Sequence, residues 1–476
     1  MKKDIQEFKL ALAYDDVLLV PHYSDIASRK EIDLKTSFSR HVRLNMPIAS
    51  ANMDTVTGAD MAIAMAREGG IGIIHRFQSI EEEADEIRKV KRAESFLIQD
   101  PITISREATL REALDLMAHK GITGIIITSP GSEIEGILTA RDFRFKTDMD
   151  EKISKIMTPH SKMITASRDI NGGDAMKILD QHKIEKLPLT DEAGKLAGLI
   201  TATDYKKAKD NPFSSKDKQG RLLVGAAVGV KDGIARAEAL VEAGADVLVV
   251  DIAHGHHKKS LDLTRQLKKR FKGIDIVAGN VATAEGTLDL IKAGADAIKV
   301  GIGPGAACST RIVTGCGVPQ FTAVLECAEA ARKFKIPIIA DGGIKNSGDI
   351  AKAMGAGAST VMIGNLLSGT KESPGEYYIE NGAAFKIYHG LASREALIYK
   401  ATALENKERY DRAPEGVGYR VAYKGEVRKI VTALLDGLQS GMSYTGAKNL
   451  KEFEKKAEFL CVTEAANRES MPRPNN

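Results

Sequence analysis

Eight short apolar runs recur along the chain with helix-length stretches between them, and this alternation limits the fold more than any other feature. The runs are NMPIASA, IGIIH, LLVGAAVG, DVLVVD, DIVAGN, AIKVG, PIIADGG and STVMIGN. Each has the length of a strand buried on both faces, and intervening segments such as GIARAEALVEAGA and EGTLDLIKAGA carry helical periodicity. Strands that are apolar almost throughout, alternating with helices, form a parallel sheet covered by those helices. Eight of them predict an α/β fold, a TIM (β/α)8 barrel. An open doubly wound sheet is the alternative, but no run is followed by the GxGxxG turn such a sheet uses for dinucleotides.

A repeat interrupts the pattern after the second run. EGILTARD, ending at Asp142, returns as AGLITATD, ending at Asp204, and the same offset of 62 residues relates Thr103 to Thr165 and KGITGIIIT to HKIEKLPLT. A constant offset over three stretches marks two copies of one βαβ-like unit, each with a helix such as LREALDLMAHK. The pair occupies roughly 95–210, so the barrel is predicted to be discontinuous, 1–94 plus 211–476. Two domains also suit a length of 476 residues, which exceeds what one core usually supports. The repeats resemble CBS domains, which pair into modules that bind adenine or guanine nucleotides. That resemblance implies a regulatory purine nucleotide held by Thr139, Asp142, Thr201 and Asp204. On the other reading these residues only form turns in a packing module.

Charge and cysteine usage narrow the partners. Lys plus Arg number 68 against 64 Asp plus Glu, with no long block of one sign, so neither nucleic acid nor a membrane surface is expected and small molecules are. The four cysteines, at 308, 316, 327 and 461, form no CxxC pair and have no metal-ligand spacing, which argues against a disulfide framework or a zinc site. Met1 leads into MKKDIQEFK without an apolar leader, and no apolar run has membrane-spanning length, so the chain reads as cytoplasmic.

Barrel enzymes do their chemistry at the carboxyl ends of the strands. Here those ends carry Asn52 and Asp54 after the first run, Asp251 and His254 after the fourth, and Asn280 after the fifth. GIGPGAACSTR follows the sixth, Asp341 with Gly342 and Gly343 the seventh, and Gly364 with Asn365 the eighth. Glycines after the last two strands let backbone N–H groups approach a phosphate, and Asp341 can accept hydrogen bonds from ribose hydroxyls. Cys308 lies in a loop rich in backbone N–H groups beside Arg311, surroundings that favour thiolate and make it a candidate nucleophile. The other cysteines read as ordinary thiols, Cys327 within TAVLECAEAARK and Cys461 within FLCV.

GIGPGAACSTRIVTG is similar to the cysteine loop of the IMP dehydrogenase and GMP reductase family. The resemblance covers nearly the whole chain, through YDDVLLVP, MDTVT, REGGIGIIH, the inserted pair, DIAHGHH, AGNVATAEGT, IIADGGI, GTKESPGE, YKGEV, SGMSYTGAKNL and the terminal RES. It implies that Cys308 attacks C2 of the purine of a nucleoside monophosphate, with Thr310 beside the base, while hydride passes between C2 and a nicotinamide. Asp341 then contacts the substrate ribose, and Gly343, Gly364, Asn365, Tyr388, Gly390, Ser393 and Glu415 complete the substrate site. Asp251 contacts the nicotinamide ribose, with Asn280 and Gly301 also in the cofactor site. A potassium ion is implied at the carbonyls of Gly303, Gly305 and Cys308, completed by Glu469, Ser470 and Met471 of a neighbouring subunit, hence a homotetramer or an octamer built from it.

Two branches of the family remain open. Dehydrogenases oxidise IMP with NAD and activate water with an Arg-Tyr pair, which Arg409 and Tyr410 fill here. Reductases convert GMP with NADPH to IMP and ammonia, and Glu415 matches their catalytic glutamate. Only four residues separate Tyr410 from Glu415, a shorter flap than dehydrogenases usually carry. Ala306 and Asn365 stand where phosphate-binding serines are usual, and SANMDTV, YDRAPEG and GLAS also lean towards reductases. CSTRIVTG, DIAHGHH, RES and the inserted pair favour an IMP dehydrogenase. A third reading, a nucleotide sensor without turnover, is opposed by the retained Cys308, Thr310 and Arg311.

Overall fold

The computed structural model describes residues 9–93, 98, 101–203, 211–390, 392–393, 414–470 and 472. Every apolar run contains a strand: β1 (Ile48–Ser50), β2 (Ile71–Ile74), β3 (Val224–Val228), β4 (Val247–Asp251), β5 (Asp275–Val281), β6 (Ala297–Val300), β7 (Ile338–Asp341) and β8 (Thr360–Ile363). Neighbours in sequence pair in parallel, and β8 returns to β1 with Ile363 opposite Ser50, closing the barrel.

Successive residues of each strand face opposite sides, so the barrel separates two cores. Ile71, Ile73, Val249, Val277, Ala297, Ile339 and Met362 fill the interior. Ile48, Ile74, Leu248, Val250, Ile276 and Ile298 belong to the outer core under the helices. Phe38, fully buried on a hairpin of Thr36–Ser37 with Arg43–Leu44, joins the inner cluster at the amino end. There Asp275, at the start of β5, accepts from Ser39 Oγ at 2.6 Å and lies 2.7 Å from His41 Nδ1.

The helices covering the barrel are α1 (Ala59–Arg67), α2 (Ile80–Ala93), α3 (Gly233–Glu242), α4 (Lys258–Arg270), α5 (Ala284–Lys292), α6 (Gln320–Arg332), α7 (Ser347–Gly355) and α8 (Val427–Tyr444). In α8 the buried Val427, Val431, Leu434, Leu438 and Met442 make one stripe, which packs against α7 and α1. Thr283 and Asn346 cap α5 and α7 by accepting from backbone N–H groups of the first turn. Between α2 and α3 lies a buried ion pair, Glu83 with Arg236, at 2.5 Å. Two features had no counterpart in the sequence reading: an antiparallel sheet of Tyr378–Glu380, Ala383–His389 and Gly418–Ala422, and pairing of Val17–Leu19 with Phe459–Cys461.

The chain divides into two compact units, residues 1–93, 213–217 and 222–476 in one and 94–212 and 218–221 in the other. The second unit contains the repeat. Its first copy has strands Gly124–Thr128 and Ile134–Thr139 and helix Leu110–Lys120; its second has Lys186–Thr190, Leu196–Thr201 and helix Gly172–Gln181, the paired strands keeping the spacing of 62 read from the sequence. Each copy buries its own apolar cluster, and Ile126, Ile134 and Leu199 form a third that joins them. Among the described residues no helix is long and apolar enough to cross a membrane.

Candidate functional site

The segments leaving β6, β7 and β8 line a cavity of about 380 Å³. Asp341, Gly342 and Gly343 face it from β7, Gly364 and Asn365 from β8, Gly305 and Ala306 from the cysteine loop, and Tyr388 from the antiparallel sheet. Gly342 and Gly343 have φ of +93° and +82°, and a Cβ on Gly342 would stand 2.9 Å from Pro304. Only glycine lets this turn meet the cysteine loop with its N–H groups uncovered. Tyr388 is buried, which pushes its phenol pKa upward, and Asn365 accepts from the Tyr419 hydroxyl at 3.3 Å.

Cys308 is exposed, and its thiol donates to Thr310 Oγ1 at 3.1 Å. The loop is held by backbone bonds. Cys308 N donates to Gly305 O and Ser309 N to Glu415 O, both at 3.0 Å, and Val417 N donates to Ala307 O at 3.0 Å. The same short segment donates from Glu415 N to Ala392 O and accepts at Val417 O from Gly390 N, while Ser393 N donates to Gly390 O. Residues 415–417 thus stitch the cysteine loop to residues 390–393, bringing Cys308, Gly390, Ser393 and Glu415 together. Arg311 donates to Ile302 O at 3.2 Å and to Val318 O at 2.5 Å. Burial draws its pKa down against the opposing influence of Cys308. Its guanidinium is committed to the loop backbone, so Arg311 braces the loop as well as placing a positive charge near Cys308.

Towards the barrel axis, Asn280 donates to Gly301 O at 2.8 Å and to Asp341 Oδ2 at 2.9 Å. Lys299 donates to Asp341 Oδ2 at 2.6 Å and to Asn280 Oδ1. Asp251 pairs with Arg76 Nε at 3.0 Å. Burial raises the cost of its charge, but Arg76 and Lys299 outweigh it and hold the carboxyl below its usual range. Asp54 stands 3.7 Å from His389 Nε2.

Lys299, Arg76 and Gln320 were not singled out from the sequence. Lys299 had a signal, as the one charged residue inside the apolar run AIKVG. Gln320 donates to Val300 O at 2.8 Å and to Asp341 O at 3.2 Å, joining β6 to β7 in the wall of the cavity.

Of the carbonyls expected to hold potassium, that of Gly305 already accepts the Cys308 amide, keeping one lone pair available, and Gly303 has φ of +85°. Glu469 and Ser470 end the helix Glu464–Glu469, with Ser470 Oγ donating to Ala466 O at 3.3 Å. Thr139 and Asp142 form a capping box at Ala140–Phe143, the carboxylate also accepting from Thr158 at 2.7 Å. Thr201 ends its strand. Arg409, Tyr410, Met471 and Asp204 lie outside the described residues.

A closed eight-stranded parallel barrel with a thiol loop and a glycine-built cradle at its carboxyl mouth defines a TIM-barrel enzyme. Residues 11–473 match the family model for the IMP dehydrogenase / GMP reductase domain, and the chain belongs to that family. It is 50% identical to an inosine-5'-monophosphate dehydrogenase of Aquifex aeolicus, covering 98% of this chain and 96% of the relative. It is 49% identical to that of Nitrosopumilus maritimus, covering 98% of each. A GMP reductase variant of Trypanosoma brucei, solved in complex with guanosine 5'-monophosphate, is 44% identical with a TM-score of 0.92 over 98% of this chain and 99% of that one. The same enzyme in complex with guanosine 5'-triphosphate is 41% identical, with a TM-score of 0.81 over 96% and 98%.

Proposed function

We propose that the protein is an IMP dehydrogenase, converting IMP, NAD and water to XMP and reduced cofactor on the way to guanine nucleotides. The observation that carries this reading is the exposed Cys308 thiol beside Thr310, in a loop that opens on the cavity of Asp341, Gly343 and Gly364. Identity of 50% to a dehydrogenase over almost the full length supports this branch.

Cys308 attacks C2 of the purine, forming a C–S bond as the C2 hydrogen leaves as hydride. Asp251, Asn280 and Gly301 would hold NAD, which would supply the acceptor for that hydride. Water then breaks the C–S bond, with Arg409 and Tyr410 as the activating pair. Asp341 holds the ribose and the turns at Gly343 and Gly364 the phosphate, with Asn365, Tyr388, Gly390, Ser393 and Glu415 around the nucleotide. The carbonyls of Gly303, Gly305 and Cys308, with Glu469, Ser470 and Met471 of a neighbouring subunit, would hold a potassium ion that would steady the loop, which would make a homotetramer the working unit. The repeat acts as a CBS pair and binds a regulatory purine nucleotide near Thr139, Asp142, Thr201 and Asp204. The neighbour solved with guanosine 5'-triphosphate supports a purine nucleotide ligand.

Supplying IMP with NAD, and separately GMP with NADPH, while following the reduced nicotinamide tests the assignment. Turnover is expected with the first pair and stimulated by potassium. Turnover with the second pair alone overturns it in favour of a GMP reductase, the reading that the TM-score of 0.92 to such an enzyme and the short span before Glu415 support. Cys308→Ala should abolish turnover yet bind IMP with affinity near that of the wild type, measured by calorimetry. Wild-type rates in that variant would dispose of the nucleophile.

A further inference from the structure

We propose that Lys299 is a positioning residue for nucleotide recognition: with Asn280 it occupies one oxygen of Asp341 and thereby assigns the other oxygen to a ribose hydroxyl. The inference rests on the reading of Asp341 as the ribose acceptor.

Lys299 lies on β6 between Ile298 and Val300, which belong to the outer core, so its side chain enters the barrel interior on the same face as Ala297. Only 3% of that side chain is exposed. An ammonium so buried needs charged and hydrogen-bonding partners around it. It has two, Asp341 Oδ2 at 2.6 Å and Asn280 Oδ1. The Asn280 amide donates to the same Oδ2 at 2.9 Å and is itself anchored on Gly301 O at 2.8 Å.

Oδ2 therefore accepts two hydrogen bonds, one of them charged. Among the described residues Oδ1 accepts none, and the Asp341 side chain keeps 21% exposure on the cavity. An ionised carboxylate has lone pairs to spare on both oxygens, and this network sorts them: one is anchored inside the barrel, the other is presented to the ligand. Fixing the anchored oxygen fixes the plane of the carboxylate, so the presented one meets a ribose hydroxyl without first losing rotational freedom. Lys299 does not itself line the cavity and reaches it through the side chains it holds, Asp341 and Asn280.

The test compares binding of IMP, 2'-deoxy-IMP and 3'-deoxy-IMP, without cofactor, to the wild type, Lys299→Met and Asp341→Asn by calorimetry. Methionine keeps nearly the length of the lysine stem and removes the charge. A hydrogen bond to a charged acceptor corresponds to about 10- to 100-fold in affinity, so the wild type should prefer IMP by that factor over the analogue lacking the contacted hydroxyl. Asp341→Asn and Lys299→Met should each shrink the preference to roughly threefold or less, with affinity for that analogue little changed. A Lys299→Met protein that binds all three ligands more weakly by one common factor, preference intact, overturns the proposal by showing a structural role only. An Asp341→Asn protein that keeps the wild-type preference overturns the ribose reading itself. Should Lys299→Met not fold, Asn280→Leu removes the other donor to Oδ2; a reduced preference supports the proposal and an unchanged one refutes it.

Discussion

Gly301→Ala is the substitution whose effect follows most directly from backbone geometry. Gly301 directly follows β6 with φ of +151°, and a Cβ added there would lie 2.0 Å from the carbonyl oxygen of Asp341 on β7. Real Cβ atoms essentially never approach another heavy atom closer than 3.0 Å, so the variant must move the two strand ends apart by about 1 Å. The atom met is backbone, which cannot rotate aside. Cys308 follows from β6 and Asp341 from β7, so the same displacement separates the proposed nucleophile from the proposed ribose acceptor. A misplacement of about 1 Å costs on the order of 100-fold in rate. We expect kcat/KM for IMP to fall by about that factor with most of the loss in kcat, and stability to fall by about 1–3 kcal/mol from overpacking. Steady-state absorbance of the reduced nicotinamide measures the first and denaturant unfolding the second. Gly273→Ala, where an added Cβ meets nothing within 4 Å, is the control and should match the wild type in both. A Gly301→Ala enzyme within about threefold of wild-type kcat/KM and equally stable would refute the claim that the spacing of β6 and β7 governs the chemistry.

Two further predictions concern stability. Arg236→Met leaves Glu83 buried without its cation and should cost about 3–5 kcal/mol in denaturant unfolding with KM unchanged, while Glu83→Leu in the same chain should recover much of the loss; an Arg236→Met protein as stable as the wild type refutes this. Burial opposes the charge of Asp275, but hydrogen bonds from His41 and Ser39 hold its carboxyl below the usual range. Its folded pKa lies below the unfolded one, so its contribution is present above about pH 4 and is lost as pH falls through the folded value. Asp275→Asn should therefore lose less stability than the wild type on acidification below about pH 4, and parallel curves would refute the assignment.

The parts of the fold legible in sequence were those whose signal is local and repeated. Apolar strands such as VLVVD need no partner to announce themselves, and the offset linking Asp142 to Asp204 survives as the spacing of whole strands. The candidate site was legible where glycine, cysteine and carboxylate cluster after strand ends, which the structure brings to one cavity. What escaped depends on contacts between distant segments. The strand Ala383–His389 buries Lys386 and Tyr388 and exposes Ile387, so a lysine at a buried position and an isoleucine at an exposed one hide its alternation in the sequence. Arg311 was legible as a charge beside Cys308, but not that Ile302 O and Val318 O hold its guanidinium. Lys299 stood in plain view inside an apolar run, yet its meaning lies in Asp341 and Asn280, on two other strands.

The pairing of Val17 with Cys461 and of Ser50 with Ile363 bears on how the chain is made. A ribosome delivers β1 and β2 first, then the whole repeat, and only much later the staves that complete the ring. The apolar clusters of the repeat draw only on residues that precede β3. The first two staves pair with each other and with α1, but their outer edges stay open until β3 and finally β8 emerge, and Val17–Leu19 waits for Phe459–Cys461. Long-range closure of this kind is slow and leaves sticky surface exposed. Production of this protein should accordingly depend on holding factors and temperature far more than isolation of its repeat does.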